Sequence, residues 1–379
     1  MEKENRKTSF MNKLKDKSVP IVIFSVGFII GILLVILAVK LVGIDNITSG
    51  LMGAICMLAI FIISFIVQII IHEAGHLVFG LLSGYDFVSF RVGSVTFIKE
   101  NGKFAIKKFK IKGTAGQCLM MPRDENYKDA PYILYNLGGV LLNALISILA
   151  IIIYSLFDFN SVINLILISM FIIGLMIVIT NGIPIKMSGI TNDGYNVIAI
   201  GKSTSIKYYF YIQLKVNGLI YKGMRIKDMP VTWFKLEENC DLNNPLITSI
   251  KCLEANYYHD KKEFNKAKEC YEDLLNKAPN ILGIYESEIK CELLFYEIIG
   301  EKRENIINKL YTEELKNYIK ATDCYITRKR LMYAYSKIIE KDIDKANKIL
   351  NEIEVVKNTY PAKGEVESEL EIIHLIKAI

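Results

Sequence analysis

The sequence predicts an all-α membrane protein: four transmembrane helices carrying a small β-hairpin insertion, followed by a cytosolic α-solenoid of helical repeats. Three observations carry that expectation. Four stretches free of Asp, Glu, Lys and Arg, namely Ser18–Val39, Asn46–Ile71, Pro131–Phe157 and Phe159–Ile185, each exceed the roughly 20 residues a helix needs to cross a bilayer. Between the second and third, apolar and polar residues alternate on either side of Asn101-Gly102. From Leu246 onward the apolar period is helical, and part of its pattern recurs.

A basic tail, residues 1–17, precedes the first stretch. The apolar run after it is too long for a signal peptide and has no small-x-small cleavage site, so it reads as an uncleaved anchor. Residues 18–202 then form the four-span domain. Four such runs within 185 residues would leave a soluble core almost no polar surface, which argues against buried helices of a large water-soluble protein.

Lysine and arginine orient the spans. Six precede the first, none lies between Leu41 and Ile71, nine lie between Leu82 and Tyr132, and none lies between the third and fourth runs. By the positive-inside rule both termini are cytosolic. The net charge of +6 therefore reflects topology and gives no reason to expect a nucleic-acid partner. A composition rich in Lys, Ile and Asn resembles that of a low-GC bacterium, which points to the bacterial cytoplasmic membrane. Seven cysteines form neither a CxxC pair nor an even framework and read as reduced, mostly buried thiols.

The β-hairpin is expected within residues 87–112, facing the cytosol. It has two uses open to it: packing against lipid headgroups, or offering an edge strand to an extended substrate. Residues 203–243 are a connector with the only tryptophan, Trp233, and no motif that assigns them a role.

Residues 244–379 are the helical region. In "EANYYHDKKEFNKAKECYEDLLNKAPN" the positions of Ala255, Tyr258, Phe264, Ala267, Tyr271 and Pro279 resemble a tetratricopeptide repeat, with small residues where helices touch and aromatics around them. "EFNKAKEC" at 263–270 parallels "DIDKANKI" at 342–349, an offset of two repeat lengths, with a degenerate repeat between and a closing helix near Glu365–Ala378. Such repeats imply a surface for a protein or peptide partner.

The chemistry sits at "IIIHEAGHLV", residues 69–78. It ends a stretch, Ala54–Ile71, in which Gln68 is the only strongly polar side chain. Ionisable groups in a span are costly, about 2.5–3.5 kcal/mol each on insertion scales, unless they have a partner. A helix places His72 and His76 on one face, where both imidazoles can ligate one cation, with Glu73 beside them as a general base toward an attacking water. Zinc is the metal this donor set suits, and a catalytic zinc needs a third protein ligand and an open position. His259 and His374 lie on predicted repeat helices and read as packing or surface residues.

On these residues, over roughly 50–200, the chain resembles the site-2 protease family of intramembrane zinc metalloproteases. Its members carry HExxH on one span and Asn-x-x-Pro, then Asp-Gly, at the end of a later one. This sequence has "NGIP" at Asn181–Pro184 and "NDG" at Asn192–Gly194, but eight residues separate Pro184 from Asp193 where the family has four. The resemblance implies that Asp193 is the third ligand and that Asn181 lies near the bound substrate or its developing oxyanion. A competing role for Asp193 is a helix cap for "GYNVIAI", which Asn192 could supply instead. The family's Gly-Pro-x-x-Asn in the third span has a counterpart in "YNLGGVLLNAL": Gly139 and Asn143 keep the spacing and Val140 replaces proline. That implies a substrate or oxyanion contact for Asn143, while helix packing explains Gly138, Gly139 and Asn143 equally well.

The implied activity is zinc-dependent cleavage of a membrane-spanning or membrane-inserted protein or peptide near the cytosolic face. A non-catalytic membrane scaffold with a structural or vestigial metal site, recruiting a cytosolic partner through the repeats, is the rival reading. The retained Glu73 argues against it, because a structural site needs no base. A transporter using intramembrane charges is a third, and the spans show no internal duplication of the kind transporters carry.

Overall fold

A computed structural model describes residues 51–379 apart from 101, 110–113, 124–127, 129, 188–189 and 379. The basic tail and the first expected span, Ser18–Val39, lie outside the described residues. The chain divides into two compact units, one reaching to Gly80 and resuming over Tyr132–Ala199, the other comprising Leu81–Pro131 and Ile200–Ile379.

The first unit is built on three helices, α1 (Leu51–Leu82), α2 (Ile133–Leu156) and α3 (Ser161–Gly182). All three are long and apolar enough to cross a membrane, α1 over Ile55–Leu82. Their polarity is inverted relative to a water-soluble bundle: Leu58, Ile62, Phe65, Leu145, Ile148 and Ile166 are exposed, while Ser64, Gln68, Asn136, Asn143, Ser147 and Ser169 are buried. Apolar outside and hydrogen-bonded polar inside is what a lipid solvent selects. Along α1 the inward polar groups Ser64, Gln68, His72 and His76 recur every four residues and so form one stripe.

Glycine sets how closely α1 and α2 approach. A Cβ on Gly75 would overlap the Gly138 carbonyl, and one on Gly139 would lie 2.6 Å from the His72 ring. Asn160 starts α3 by accepting from the Ile163 N–H at 3.1 Å. After α3, Lys186–Met187 pairs with Ile190–Thr191 in a two-stranded ribbon, and α4 begins at Asp193 and runs to Gly201.

The second unit opens with an antiparallel sheet of β1 (Tyr85–Val92), β2 (Val95–Glu100), β3 (Lys103–Lys108) and β4 (Gly116–Pro122), in the order β3-β2-β1-β4. The expected hairpin is present as β2 and β3, paired from Val95↔Lys108 to Glu100↔Lys103, with Gly102 at φ +80° in the turn. It is half of a larger sheet. Strand β4 pairs with β1 from Tyr85↔Pro122 to Val92↔Gly116, and its Cys118–Pro122 run is buried throughout. With both faces covered β4 shows no alternation, and its partner is some thirty residues away, so local pattern did not reveal it.

The expected connector is an ordered part of this unit. Helix α5 (Thr204–Tyr221) is capped by Ser203, whose hydroxyl accepts from the Ile206 N–H. Two short 3₁₀ turns follow, and Met229 and Phe234 from them join Tyr209, Ile212, Val216, Ile247 and Ile250 in one core. Nearly all that remains is helical: α6 (Pro245–Asp260), α7 (Phe264–Lys277), α8 (Gly283–Ile299), α9 (Glu304–Leu310), α10 (Glu313–Ala321), α11 (Ile326–Ala334, continued by a π turn to Glu340), α12 (Ile343–Thr359) and α13 (Lys363–Ala378). Ala255, Ala267 and Ala346 are almost fully buried where helices meet. The sheet rests on these helices through Phe109, packed with Ile326, Tyr360 and Val366, and through Lys107 Nζ, which donates to the Tyr360 carbonyl at 3.1 Å.

A layer of buried charge runs through the helices. Arg330, with no exposure, donates to both oxygens of Glu292 at 2.7 Å and pairs through Nε with Glu369 at 2.5 Å. His259 packs here, its Nδ1 2.8 Å from the Tyr296 hydroxyl. The seven cysteines are all free.

Candidate metal centre

His72 and His76 stand on α1 about 15 and 9 Å from its end at Leu82, taking a rise of about 1.5 Å per residue. Asp193 reaches them from the first turn of α4. The atoms His72 Nε2, His76 Nε2 and Asp193 Oδ2 converge at 3.2 Å between the imidazoles and at 3.1 and 3.5 Å from each imidazole to the carboxylate. Among the described residues this is the one group of three or more His, Cys, Asp or Glu side chains able to share an ion.

The far nitrogen of each ring is fixed. His76 Nδ1 lies 2.8 Å from the Tyr135 carbonyl, which can only accept, so Nδ1 carries the hydrogen and Nε2 presents a lone pair. His72 Nδ1 lies 2.8 Å from Asn143 Oδ1, with the same consequence. Ligating histidines are held this way, with the second nitrogen donating to a carbonyl.

Three lone pairs therefore face one another with no proton directed between them. Asp193 Oδ2 is buried and makes no hydrogen bond despite its two close neighbours. The site demands positive charge, from protons on the imidazoles or from a cation. Burial raises the Asp193 carboxyl, and where the imidazoles carry the protons their hydrogen bonds and charge outweigh this and hold it down to about 2.

A zinc ion fits this demand. Ligand atoms at about 2.0–2.1 Å from zinc in a tetrahedral shell stand about 3.3 Å apart, and the three separations here are 3.1, 3.2 and 3.5 Å. Two imidazoles and one carboxylate leave a fourth position open, the donor count of catalytic zinc.

Asn192, which the sequence reading offered only as a cap, brings Asp193 into place. Its Oδ1 accepts from the Tyr195 N–H at 3.0 Å and the Ile185 N–H at 3.1 Å; its Nδ2 donates to the Thr180 and Ile183 carbonyls at 2.8 and 2.5 Å. One side chain thus caps α4 and ties it to the end of α3, which frees the Asp193 carboxylate for the histidines. Within the long Pro184–Asp193 segment Lys186–Met187 pairs with Ile190–Thr191, and the Asn192 N–H donates to the Ile185 carbonyl, so Ile185 and Asn192 are neighbours.

The other expected site residues divide. Glu73 is buried on the same turn as the histidines and close enough to His76 to interact electrostatically with it. Asn143 differs from the substrate contact that the resemblance implies. It is fully buried, its oxygen is on His72, and its nitrogen donates to Gln68 Oε1 at 2.6 Å and to the Gln68 carbonyl at 2.9 Å. No amide hydrogen remains for a substrate. The Asn181 amide donates back to Ile177 O at 3.1 Å on its own helix.

The sequence reading missed the roles of Gln68 and Asn192. The signal for Gln68 was available: a lone amide four residues before His72, on the same face. No family model, curated protein or solved structure matches the chain.

Proposed function

We propose that the chain is a membrane-embedded zinc endopeptidase, acting on a membrane-spanning or membrane-inserted protein or peptide near one membrane face. The observation that carries this reading is the convergence of His72, His76 and Asp193 at zinc-ligand spacing beside a buried glutamate, with both histidines on a helix able to cross a membrane.

His72, His76 and Asp193 would hold the ion, which when bound supplies Lewis acidity and lowers the pKa of a water to about 7. Glu73 would take a proton from the water that attacks the scissile carbonyl and deliver it to the leaving amine. Tyr135 and Asn143 hold the imidazoles in the orientation that presents Nε2. Closely packed helices exclude bulk water, which strengthens each of these interactions.

A helical substrate hides its main chain, so the scissile segment must be unwound before its carbonyl is accessible. A tetratricopeptide-like pairing of the helices from Pro245 onward would serve a protein or peptide partner.

The experiment compares the wild-type chain with Glu73→Gln, each purified with its metal content measured and each co-expressed with candidate membrane-anchored substrates. The proposal requires that Glu73→Gln keep zinc and lose cleavage. A scaffold with a structural metal would be unaffected by the substitution.

A further inference from the structure

We infer that Gln68 is a positioning residue for the metal centre: acting through Asn143, it fixes which nitrogen of His72 is offered to the ion. The inference rests on the metal reading of His72, His76 and Asp193. It assigns a role to the one strongly polar side chain of the preceding apolar stretch.

Gln68 lies 2.7 Å from the Met170 carbonyl, and a peptide carbonyl only accepts, so the Gln68 atom facing it is its NH₂ group. The other end of that amide, Oε1, is then the atom 2.6 Å from Asn143. An acceptor there requires the Asn143 NH₂, which also reaches the Gln68 carbonyl at 2.9 Å. Asn143 must therefore present its oxygen to His72 Nδ1, at 2.8 Å. Nδ1 holds the hydrogen, and Nε2 is left as the lone pair directed at His76 and Asp193.

The orientation of two amides and one imidazole is thus set by two main-chain carbonyls, Met170 O acting on the Gln68 side chain and Gln68 O acting with that side chain on Asn143. Two further features favour this over plain helix packing. Gln68 and Asn143 are both fully buried among helices long and apolar enough to span a membrane, where an unpaired amide is costly. Room for the Gln68 amide and for Ser147 depends on Gly174 of α3, because a Cβ there would overlap Ser147 Oγ and stand 2.6 Å from Gln68 Nε2. The Gln68 main-chain carbonyl, with two lone pairs, accepts one Asn143 hydrogen at 2.9 Å beside the helical N–H of His72, and the Gln68 side chain takes the other Asn143 hydrogen.

The test uses the full chain in detergent or lipid nanodiscs. Gln68→Met keeps the volume and removes both hydrogen bonds; Gln68→Glu, entering as the neutral acid, keeps a donor for Met170 O and an acceptor for Asn143. Zinc affinity is read by competition with a chromophoric chelator, and the His72 tautomer in the metal-free protein by ¹⁵N imidazole shifts. Gln68→Met is expected to weaken zinc about tenfold, the lower end of the effect of outer-shell partners, and to turn a pure Nδ1–H signature into a mixture. Gln68→Glu is expected to match wild type in both. If Gln68→Met fails to accumulate, Gln68→Ala, which removes both hydrogen bonds and adds no volume, carries the same expectation.

Wild-type affinity with an unchanged tautomer in Gln68→Met overturns the inference. So does a Gln68→Glu that falls as far as Gln68→Met, which would mean that shape alone matters. A wild-type chain that binds no zinc defeats the metal reading, whereas the ¹⁵N spectra still decide the relay.

Discussion

Replacing Asn192 with alanine tests how the third ligand is delivered. The side chain makes four hydrogen bonds, two accepted from Tyr195 and Ile185 and two donated to Thr180 and Ile183. Loss of an N-cap costs about 0.5–2 kcal/mol. Each donation to a carbonyl adds about 1 kcal/mol, so the local loss is about 2–4 kcal/mol. Asp193 is the next residue, and a loosened start of α4 must be re-ordered whenever the carboxylate ligates. If half of that loss is charged to metal binding, zinc affinity falls about 5- to 30-fold at 1.4 kcal/mol per decade. The assay is chelator competition on the purified full-length chain, with Asn192→Ser alongside. Serine keeps the cap but cannot bridge to Thr180 and Ile183, so it should lie between alanine and wild type. An Asn192→Ala protein that binds zinc within twofold of wild type would refute the reasoning.

Three further outcomes are expected. Gly139→Ala places a Cβ 2.6 Å from the His72 ring; it should displace the imidazole and lower zinc affinity at least tenfold while the helical circular dichroism is unchanged. Arg330→Ala leaves the Glu292 and Glu369 carboxylates buried without their cation. Breaking such a buried pair costs about 3–5 kcal/mol, and thermal unfolding of the second unit should drop by roughly 10 °C. Glu365, whose carboxyl is pushed up to about 8 by burial and by its neighbour Glu369, binds a proton in the folded state that the unfolded chain releases near 4.5. Its contribution is complete below pH 4.5 and is lost as pH rises toward 8, at up to about 1.4 kcal/mol per pH unit. Glu297, held down to about 2 by Arg303, and Glu371, held there by Lys262 and Arg225, act only below that window. Glu365→Gln should therefore flatten stability between pH 4.5 and 8 in chemical denaturation.

What was legible in the sequence follows from how local each signal is. The helical period alone puts His72 and His76 on one face, and Gly102 alone permits the positive φ of its turn, so both could be read from a few residues. The partners of those residues lie far along the chain. Asn143 faces His72 across a separation of 71 residues, and no local pattern distinguishes an amide that orients an imidazole from one that contacts a substrate. Strand β4 was hidden because burial on both faces erases alternation. The Asn192 side chain was visible as a cap, but its reach to Thr180 depends on the pairing of Lys186–Met187 with Ile190–Thr191. In each case the sequence names the chemical group, and packing decides what that group touches.

The central claim is that one divalent ion is gripped by His72, His76 and Asp193. Zinc stoichiometry and X-ray absorption on the purified full-length chain test it most directly. The account predicts one zinc per chain, with two imidazole nitrogens and a carboxylate oxygen in its shell, and loss of that zinc in His72→Ala, His76→Ala and Asp193→Ala. A chain that takes up no zinc, or an Asp193→Ala protein whose zinc shell is the same as wild type, would contradict it.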